Sequence, residues 1–273
     1  MLTDRTVAIL GTGTMGRALG TGLVNAGVIA ADRVRGTVRH EAERDRIAGD
    51  VDFSVGTDNV AATRGAAVVL LCTKPKTGAG LLKELADAGA LDHEPLIISI
   101  CAGVSTGALE EACAHKARIV RAMPNTPCQI GEGMTVVAGG NRATDEDIET
   151  ALQIFHTLGR ALVLDEEHMN TVTGLSGSGP AFVYVIIEAL SEGGVMMGLP
   201  RSVATELAAQ TVKGAARMVL ETGRHPAALK DDVTTPAGCT ISALMALEDG
   251  RLRSVLARGV QEAARSAAGL GGE

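Results

Sequence analysis

The sequence predicts an α/β domain with a mostly parallel sheet over residues 1–164, followed by an all-α domain over residues 165–273. Two observations carry this prediction. In the first part, short runs of β-branched and other apolar residues alternate with helical patterns, which is typical of a parallel sheet covered on both faces. From about Asp165 onward such runs cease and only helical patterns remain, so we expect the domain boundary there.

Strands of the first domain are predicted at its short apolar runs. These runs occupy residues 6–10, 33–38, 67–72, 96–100, 118–121, 135–138 and 161–164. Helical patterns at residues 15–26 and 78–90 lie between early strands. The helices of the second domain are expected at residues 166–174, 178–197, 201–222, 226–232, 240–249 and 251–268.

The predicted helix at residues 178–197 is apolar on every face along Ala181–Ile187. A helix that is apolar all round has to be buried all round, and a domain of about 110 residues cannot easily surround it. The following helix carries residues that permit close helix approach, namely Ala204, Ala208, Thr211, Ala215 and Met218. We therefore predict a homodimer in which a second copy covers the apolar helix. An ordinary buried helix in a monomer is the alternative.

The composition argues against several classes of function. The net charge is −7 and only four residues are aromatic, so nucleic-acid and anionic-membrane binding are disfavoured. The five cysteines lack a C-x-x-C spacing and the six histidines lack a metal-ligand spacing, which indicates a reduced, cytoplasmic protein without a metal site. No signal peptide is expected, and the longest apolar stretch, residues 181–187, is too short to span a membrane.

A glycine-rich turn, Gly11-Thr-Gly13-Thr-Met-Gly16, joins the first predicted strand to the first helix. In this G-x-G-x-x-G pattern Gly11 allows the tight turn, Gly13 lets the backbone approach a pyrophosphate, and Gly16 allows close helix–strand packing. The free N–H groups of the helix N-terminus would face the diphosphate. The first domain is therefore predicted to be a Rossmann-like, dinucleotide-binding domain.

The end of the second predicted strand distinguishes NAD from NADP. NAD-binding folds place an Asp or Glu there to hold the ribose 2′-hydroxyl, but here the strand ends Gly36-Thr37-Val38-Arg39-His40. Thr37 and Arg39 could instead receive a 2′-phosphate, which favours NADP(H) over NAD(H). The alternative is that Arg39 and His40 are solvated loop residues.

Five segments resemble the pyrroline-5-carboxylate reductase family. They are Thr73-Lys-Pro75, SICAGV at 99–104, MPNTP at 123–127, GLSGSGP at 174–180, and DVTTPAGCTI at 232–241 followed by Leu244, Leu247 and Glu248. Their order and spacing match along nearly the whole chain. The resemblance implies an N-terminal Rossmann domain, a helical substrate-binding and dimerisation domain, and reduction of 1-pyrroline-5-carboxylate to proline with NAD(P)H.

The resemblance also implies functional residues, carried over position by position. The cofactor residues would be Leu10, Gly11, Thr12, Gly13, Thr14 and Met15 at the diphosphate, Thr37 and Arg39 near the 2′-position, Asn59 near the adenosine, and Cys72, Thr73, Lys74, Pro75, Cys101, Ala102, Asn125 and Glu166 along the cleft. The substrate residues would be Thr235, Gly238, Cys239 and Thr240.

Hydride transfer to a cyclic imine requires an oriented ring, and a held carboxylate together with a hydrogen-bonded nitrogen would orient it. The backbone N–H groups of Gly238 to Thr240, before the predicted helix 240–249, would form an anion site for the carboxylate. Thr240, the predicted catalytic residue, either donates to the imine nitrogen or only caps the helix. A protonated imine is already electrophilic, so no strong acid is needed. We expect the Cys239 thiol to be incidental, because no His lies nearby in sequence.

The substrate loop departs from the family pattern. Family members usually have Ser-Pro-Gly-Gly, whereas this chain has Thr235-Pro-Ala237-Gly238. Because Ala237 replaces a glycine, easy use of a positive φ is expected to be excluded. Thr235 adds a methyl group to the usual serine. These changes leave open which cyclic imine is reduced.

Three alternatives come from other classes. A β-hydroxyacid dehydrogenase would share the glycine turn and a helical domain, but its Lys–Asn pair is missing because Arg217 lies four residues after Lys213. An imine reductase acting on another cyclic imino acid has the same sequence features. A nucleotide-sensing protein without turnover would show a damaged cofactor turn or substrate loop, and both are intact in outline here.

Overall fold

The computed structural model describes Leu2 and residues 4–270. The chain divides into two compact units, one comprising Met1–Ser178 with Gln261–Glu273 and the other Gly179–Val260. We call them the sheet unit and the helical unit.

The sheet unit contains eight strands. They are β1 (Val7–Leu10), β2 (Val34–Thr37), β3 (Ser54–Gly56), β4 (Val68–Leu71), β5 (Leu96–Ser99), β6 (Arg118–Met123), β7 (Gly133–Gly139) and β8 (Gly159–Val163). The strand order is β3-β2-β1-β4-β5-β6-β7-β8, and all neighbours are parallel except β6 and β7. The prediction of a mostly parallel sheet is therefore confirmed. Strand β3 was not predicted, because three residues are too few to show a periodic pattern.

Helices cover both faces of this sheet. They are α1 (Thr14–Asn25), α2 (Glu41–Ile47), α3 (Asn59–Thr63), α4 (Pro75–Asp87), α5 (Thr106–Ala112), α6 (Asp145–His156) and α7 (Met169–Val172). Short 3₁₀ turns at Ala31–Arg33, Thr126–Ile130 and Glu166–His168 and a π-helical turn at Thr173–Gly177 complete the unit.

Two apolar clusters form the core of the sheet unit, one for each face of the sheet. Val7 and Ile9 of β1 join the first cluster, while Ala8 and Leu10 join the second. Successive residues of a strand point to opposite faces, so a strand covered on both faces is apolar without interruption. This packing explains why the strands are recognisable as continuous apolar runs.

The first and longer segment of the sheet unit ends at Ser178, later than the change of pattern near Asp165. Met169 and Val172 of α7 pack with Val136 and Ala138 of β7, so the chain stays with the sheet after its last strand. A helical pattern shows that a segment is helical but not which core it joins. The division at residue 164 therefore marks the end of the strands rather than the edge of the compact unit.

The second part of the chain contains five further helices. They are α8 (Gly179–Met196), α9 (Arg201–Thr222), α10 (Pro226–Asp232), α11 (Cys239–Asp249) and α12 (Leu252–Ala268), and the last residues of α12 group with the sheet unit. Their bounds agree with the predicted helices to within a residue. Helices α8 and α9 approach closely where Gly194 faces Ala204. Ala204 and Ala208 are buried, as expected of close helix approach, whereas Thr211, Ala215 and Met218 are exposed.

Apolar side chains of the helical unit are exposed in the single chain. Tyr184 is 61% exposed, Met245 57% and Met196 86%. The helical run Glu166–Met196 is long and apolar enough, by length and composition alone, to cross a membrane, although its continuous apolar stretch covers only residues 181–187. This is weak evidence for a membrane span, because the core helix of a soluble protein passes the same test.

Candidate cofactor and active site

A cavity of about 800 Å³ opens in the sheet unit where β1, β2 and β4 end. The strand order reverses between β1 and β4, and open α/β sheets bind their ligands at such a switch point. Nine of the predicted cofactor residues line it: Gly11, Thr12, Gly13, Thr37, Arg39, Asn59, Cys72, Thr73 and Lys74.

The glycine-rich turn brings backbone close to this cavity. Gly11 has φ +96°, and a Cβ there would lie 2.8 Å from the carbonyl oxygen of Cys72. A Cβ on Gly16 would overlap the carbonyl oxygen of Gly11, whereas one on Gly13 would meet nothing within 4 Å. The turn is therefore tight on its protein side and open at Gly13. The first N–H groups of α1 have no helical carbonyl to bind, so they are available to an anion.

Thr37 organises the turn from the end of β2. Its carbonyl oxygen accepts hydrogen bonds from the N–H of Gly11 (3.1 Å), the N–H of Thr12 (2.7 Å) and the hydroxyl of Thr12 (3.0 Å). Its own buried hydroxyl donates to Oδ1 of Asn59 at 2.6 Å. The Asn59 Nδ2 group is thereby left as the donor for a ligand. Thr37 thus holds the site together rather than presenting a free hydroxyl to a phosphate.

Four basic side chains line the same cavity: Arg39, His40, Lys74 and Lys76. Among the residues that the structure describes, none of the four has a hydrogen-bond or ion-pair partner. Lys76 was not predicted, because the helical pattern in the sequence starts at residue 78, whereas α4 begins at Pro75 and places Lys76 in its first turn. Further lining residues that were not predicted are Val38, Glu43, Thr57, Thr77, Gly80, Leu81 and Glu84.

The other predicted cofactor residues lie beside the cavity or farther along the sheet. Leu10 ends β1, Thr14 and Met15 begin α1, Pro75 begins α4, and Cys101 and Ala102 follow β5. Asn125 bonds the carbonyl oxygen of Ser176 (3.0 Å) and the N–H of Met134 (2.9 Å). Glu166 accepts bonds from Thr106 and Arg121. Asn125 and Glu166 therefore already have protein partners, and neither lines the cavity.

The cysteines of the sheet unit are not suited to be nucleophiles. Burial raises the pKa of Cys72, Cys101, Cys113 and Cys128, because a thiolate is poorly solvated there. Their thiols remain protonated at neutral pH. Within the described residues, no group of three or more His, Cys, Asp or Glu could hold a metal ion.

The predicted substrate loop lies in the helical unit and contains a tight turn. The Gly238 N–H donates to the carbonyl oxygen of Thr235 at 3.0 Å, with Pro236 and Ala237 between them. Ala237 has φ +58°, so proline followed by a positive φ gives the pattern of a type II turn. The expectation that alanine excludes a positive φ here is therefore wrong: the turn requires it and bears the strain.

Two further expectations about this loop are corrected. The N–H of Gly238 is used in the turn, so it is not free for a carboxylate, whereas those of Cys239 and Thr240 begin α11 and have no helical acceptor. Gly238 is the N-cap of α11 and no side chain caps it. The alternative that Thr240 serves as the cap is thereby excluded. Within the described chain the Thr240 hydroxyl has no hydrogen-bond partner.

The cavity fits a dinucleotide phosphate. The turn accepts only glycine at Gly11 and is open at Gly13, and N–H donors face the cavity. Arg39 at the end of β2 and Lys74 and Lys76 at the start of α4 have no partner in the described part of the chain. Two carboxylates, Glu43 and Glu84, also line the cavity, so its lining is not uniformly positive. The fold and this cavity define a dinucleotide-dependent oxidoreductase with an appended helical domain.

Comparisons with known proteins identify the family. A family model described as pyrroline-5-carboxylate reductase dimerisation matches residues 166–270, and one described as NADP oxidoreductase coenzyme F420-dependent matches residues 6–103. The chain is 42% identical to a pyrroline-5-carboxylate reductase of Schizosaccharomyces pombe, over 96% of this chain and 98% of that one. It is 39% identical to one of Methanosarcina acetivorans, over 98% of both.

Solved structures agree with these sequence matches. A pyrroline-5-carboxylate reductase from Coxiella burnetii superposes with a TM-score of 0.90 at 32% identity, covering 99% of this chain and 100% of that one. The Plasmodium falciparum pyrroline carboxylate reductase with NADP bound gives 0.88 at 29% identity, covering 98% of both chains. The chain belongs to the pyrroline-5-carboxylate reductase family. The matched dimerisation domain indicates a homo-oligomer.

Proposed function

We propose that this chain reduces 1-pyrroline-5-carboxylate to L-proline with NADPH, in proline biosynthesis. The observation that carries the proposal is the match to relatives of that name over nearly the full length of both chains. A cytoplasmic homodimer, or a larger assembly of such dimers, is part of the proposal. It is supported by the exposed apolar side chains of the helical unit and by the dimerisation model.

The cofactor half of the proposal rests on the cavity at the β1–β4 switch point. NADP(H) is the proposed cofactor and NAD(H) the alternative, because Arg39, Lys74 and Lys76 line the cavity without partners among the described residues. When bound, the reduced nicotinamide supplies the hydride. Asn59, held by Thr37, offers its Nδ2 group as a donor, and the first N–H groups of α1 receive the diphosphate.

The substrate half rests on the turn before α11. The N–H groups of Cys239 and Thr240 bind the carboxylate, helped by the positive end of the 11-residue helix. The Thr240 hydroxyl, which does not cap the helix, donates a hydrogen bond to the lone pair that the ring nitrogen acquires as the hydride arrives. The hydride goes to the imine carbon and the C=N π electrons go to nitrogen. A ring that arrives protonated therefore leaves as a neutral amine and needs no side-chain acid.

A second candidate is the reduction of another cyclic imino acid. It is favoured by the two departures of the turn, Thr235 and Ala237, which change the shape of the loop beside the proposed carboxylate site. The β-hydroxyacid dehydrogenase alternative has no such support, since Lys213 is followed by Arg217, which pairs with Glu221.

One assay decides between the candidates. NADPH oxidation is measured with pyrroline-5-carboxylate, with its 2-carboxylate isomer and with the six-membered analogue of each, and every substrate is repeated with NADH. We expect the largest kcat/KM for pyrroline-5-carboxylate with NADPH. A larger value for another ring would replace the proposed substrate while keeping the reaction type. NADPH binding without oxidation by any ring would leave only a nucleotide-binding protein.

A further inference from the structure

Arg121 is a buried cation on β6 that the proposed chemistry does not use. Its side chain is only 6% exposed. Its Nη1 donates to Oε1 of Glu166 at 3.2 Å, and its Nη2 lies 3.4 Å from Oδ1 of Asn170. Burying a guanidinium is costly unless it is paired and hydrogen-bonded. An arginine in the middle of an apolar sheet therefore calls for an explanation.

The carboxylate of Glu166 connects Arg121 to Thr106, at the start of α5. Its Oε1 also accepts the N–H of Thr106 at 2.7 Å, and its Oε2 accepts the Thr106 hydroxyl at 2.6 Å. Both oxygens are thus engaged, and the Thr106 side of the network has two short bonds to an ionised group, which are among the stronger hydrogen bonds. Thr106 is the residue at which α5 begins.

The segment Cys101–Thr106, which connects β5 to α5, has a hydrogen bond at each end, and the bonds at Thr106 belong to the network of Arg121 and Glu166. At its start, the Cys101 N–H donates to the buried Ser99 hydroxyl at 3.2 Å, and Ser99 pairs with Arg121 in the register of β5 and β6. At its end, Glu166 holds Thr106. The charge of Arg121 also reaches Cys101, where it opposes the rise that burial causes in the pKa of that thiol.

The strand order places this segment on the side of the sheet that faces away from the adenosine. Arg39 and Asn59 lie where β2 and β3 end, on one side of the β1–β4 switch point. Cys101–Thr106 follows β5, on the other side. A dinucleotide laid across a switch point has its two nucleotide halves on opposite sides. The segment therefore belongs to the nicotinamide half.

We propose that Arg121 and Glu166 are positioning residues that fix the Cys101–Thr106 segment for the nicotinamide half of the cofactor. The proposal rests on the proposed function for the identity of the cofactor. Arg121 acts on the segment indirectly, because it binds Glu166 and Glu166 binds Thr106. Loss of the Arg121–Glu166 contacts should weaken binding of the nicotinamide half only, because the adenosine half is bound at the ends of other strands.

The test compares NADPH with 2′,5′-ADP, which carries the adenosine and its 2′-phosphate but no nicotinamide. In Arg121→Lys the charge stays, but one ammonium cannot reproduce the planar fork that serves both Glu166 and Asn170. We expect calorimetry to give a Kd for NADPH about tenfold weaker, the factor for one hydrogen bond to a charged group. The Kd for 2′,5′-ADP should stay at the wild-type value. Kinetics should show the same loss in kcat/KM with NADPH and with NADH.

Arg118→Lys is the matched control, because it alters a comparable ion pair on the same strand. The Nε of Arg118 donates to both oxygens of the buried Asp147, at 3.1 and 2.9 Å, where β6 begins. This pair lies at the opposite end of the strand from the cofactor cavity. The control should lower Tm by an amount similar to Arg121→Lys but leave both dissociation constants unchanged.

Several outcomes would overturn the proposal. A wild-type Kd for NADPH in Arg121→Lys would do so, and so would an equal loss of NADPH and 2′,5′-ADP affinity. If Arg121→Lys fails to fold, Thr106→Val removes only the hydroxyl donor and should show the same selective pattern with a smaller factor; no selectivity there overturns the proposal. A wild-type chain that binds NADPH but reduces no imine defeats the proposed function instead, and the binding comparison remains decisive.

Discussion

Strands β1 and β4 of the sheet unit are buried at every residue, whereas in α8 of the helical unit, which the structure describes completely, only Ser191 is buried. Both segments are strongly apolar in sequence. The first finds its cover within the same chain, from helices on the two faces of the sheet. The second exposes Tyr184, Val185 and their neighbours, and the dimerisation model that matches residues 166–270 indicates a homo-oligomer in which another copy could cover them. An apolar sequence therefore accompanies an internal core in one unit and an exposed surface in the other.

The two units also divide the proposed chemistry differently. The cofactor cavity is bordered by buried hydrogen bonds around Thr37 and by a glycine turn that leaves no room for a Cβ at Gly11 or Gly16. The substrate loop is an exposed turn with a strained alanine, and within the described residues the N–H groups of Cys239 and Thr240 have no acceptor. Substitutions in the helical unit should therefore change assembly and imine turnover, and substitutions in the sheet unit should change cofactor binding.

The largest expected effect concerns assembly. Tyr184→Asp or Ile187→Asp places a charge where the second copy should cover α8, and an unpaired buried charge costs several kcal/mol. We expect loss of the oligomer, with poor solubility or folding, by light scattering and thermal unfolding. The control is Ala42→Asp at an exposed position of α2, which should change neither. A wild-type chain that is monomeric at micromolar concentration would contradict the comparison of the two units.

The second effect concerns turnover. Thr240→Ala removes the proposed donor to the ring nitrogen and should lower kcat/KM for the imine by roughly 10- to 150-fold, the equivalent of about 1.5–3 kcal/mol. Tm should stay constant, because Gly238 and not Thr240 is the N-cap of α11. NADPH affinity should also stay constant, because the residues that line the cofactor cavity belong to the sheet unit. Thr240→Ser should keep most activity, and Cys239→Ala should be nearly neutral because only its backbone is used. A near-normal kcat/KM for Thr240→Ala would refute the mechanism.

The third effect concerns cofactor choice in the sheet unit. Arg39 lines the cavity and has no partner within the described residues. Arg39→Ala should weaken NADPH by roughly tenfold or more, since a hydrogen bond to a charged phosphate is lost, and should affect NADH little. Calorimetric titration of both cofactors measures the difference. Equal losses for NADPH and NADH would remove Arg39 from the 2′-phosphate site.

Most of the fold could be predicted from the sequence, because its signals are local. The continuous apolar strands and the glycine turn predicted the parallel sheet, and the helices after residue 178 agree closely with the structure. Strand β3 was missed because a three-residue strand has no period. The position of Ser178 as the end of the sheet unit depends on α7 packing against β7, which is a tertiary contact that no local pattern contains.

The candidate site was predictable in its residue types but not in its hydrogen bonds. Nine predicted cofactor residues do line one cavity. The sequence could not indicate that the Thr37 hydroxyl binds Asn59, that the Gly238 N–H is consumed by a turn, or that Glu166 pairs with Arg121. Each of these partners is settled by side-chain or backbone geometry between distant positions. Lys76 was missed for a local reason, the misplaced start of α4.

The smallest expected effect concerns strain in the substrate turn. Ala237 holds φ +58°, a left-handed conformation that costs a non-glycine residue roughly 1–2 kcal/mol. Ala237→Gly relieves that cost but loosens the unfolded chain, which takes back about 0.4–1 kcal/mol. We therefore expect a net stabilisation between zero and about 1.6 kcal/mol, visible as a small rise in Tm. Thr235→Ala is the control, since it leaves the strained residue in place. A lower Tm for Ala237→Gly would mean that the methyl group makes contacts worth more than the strain, and that the turn is built for alanine.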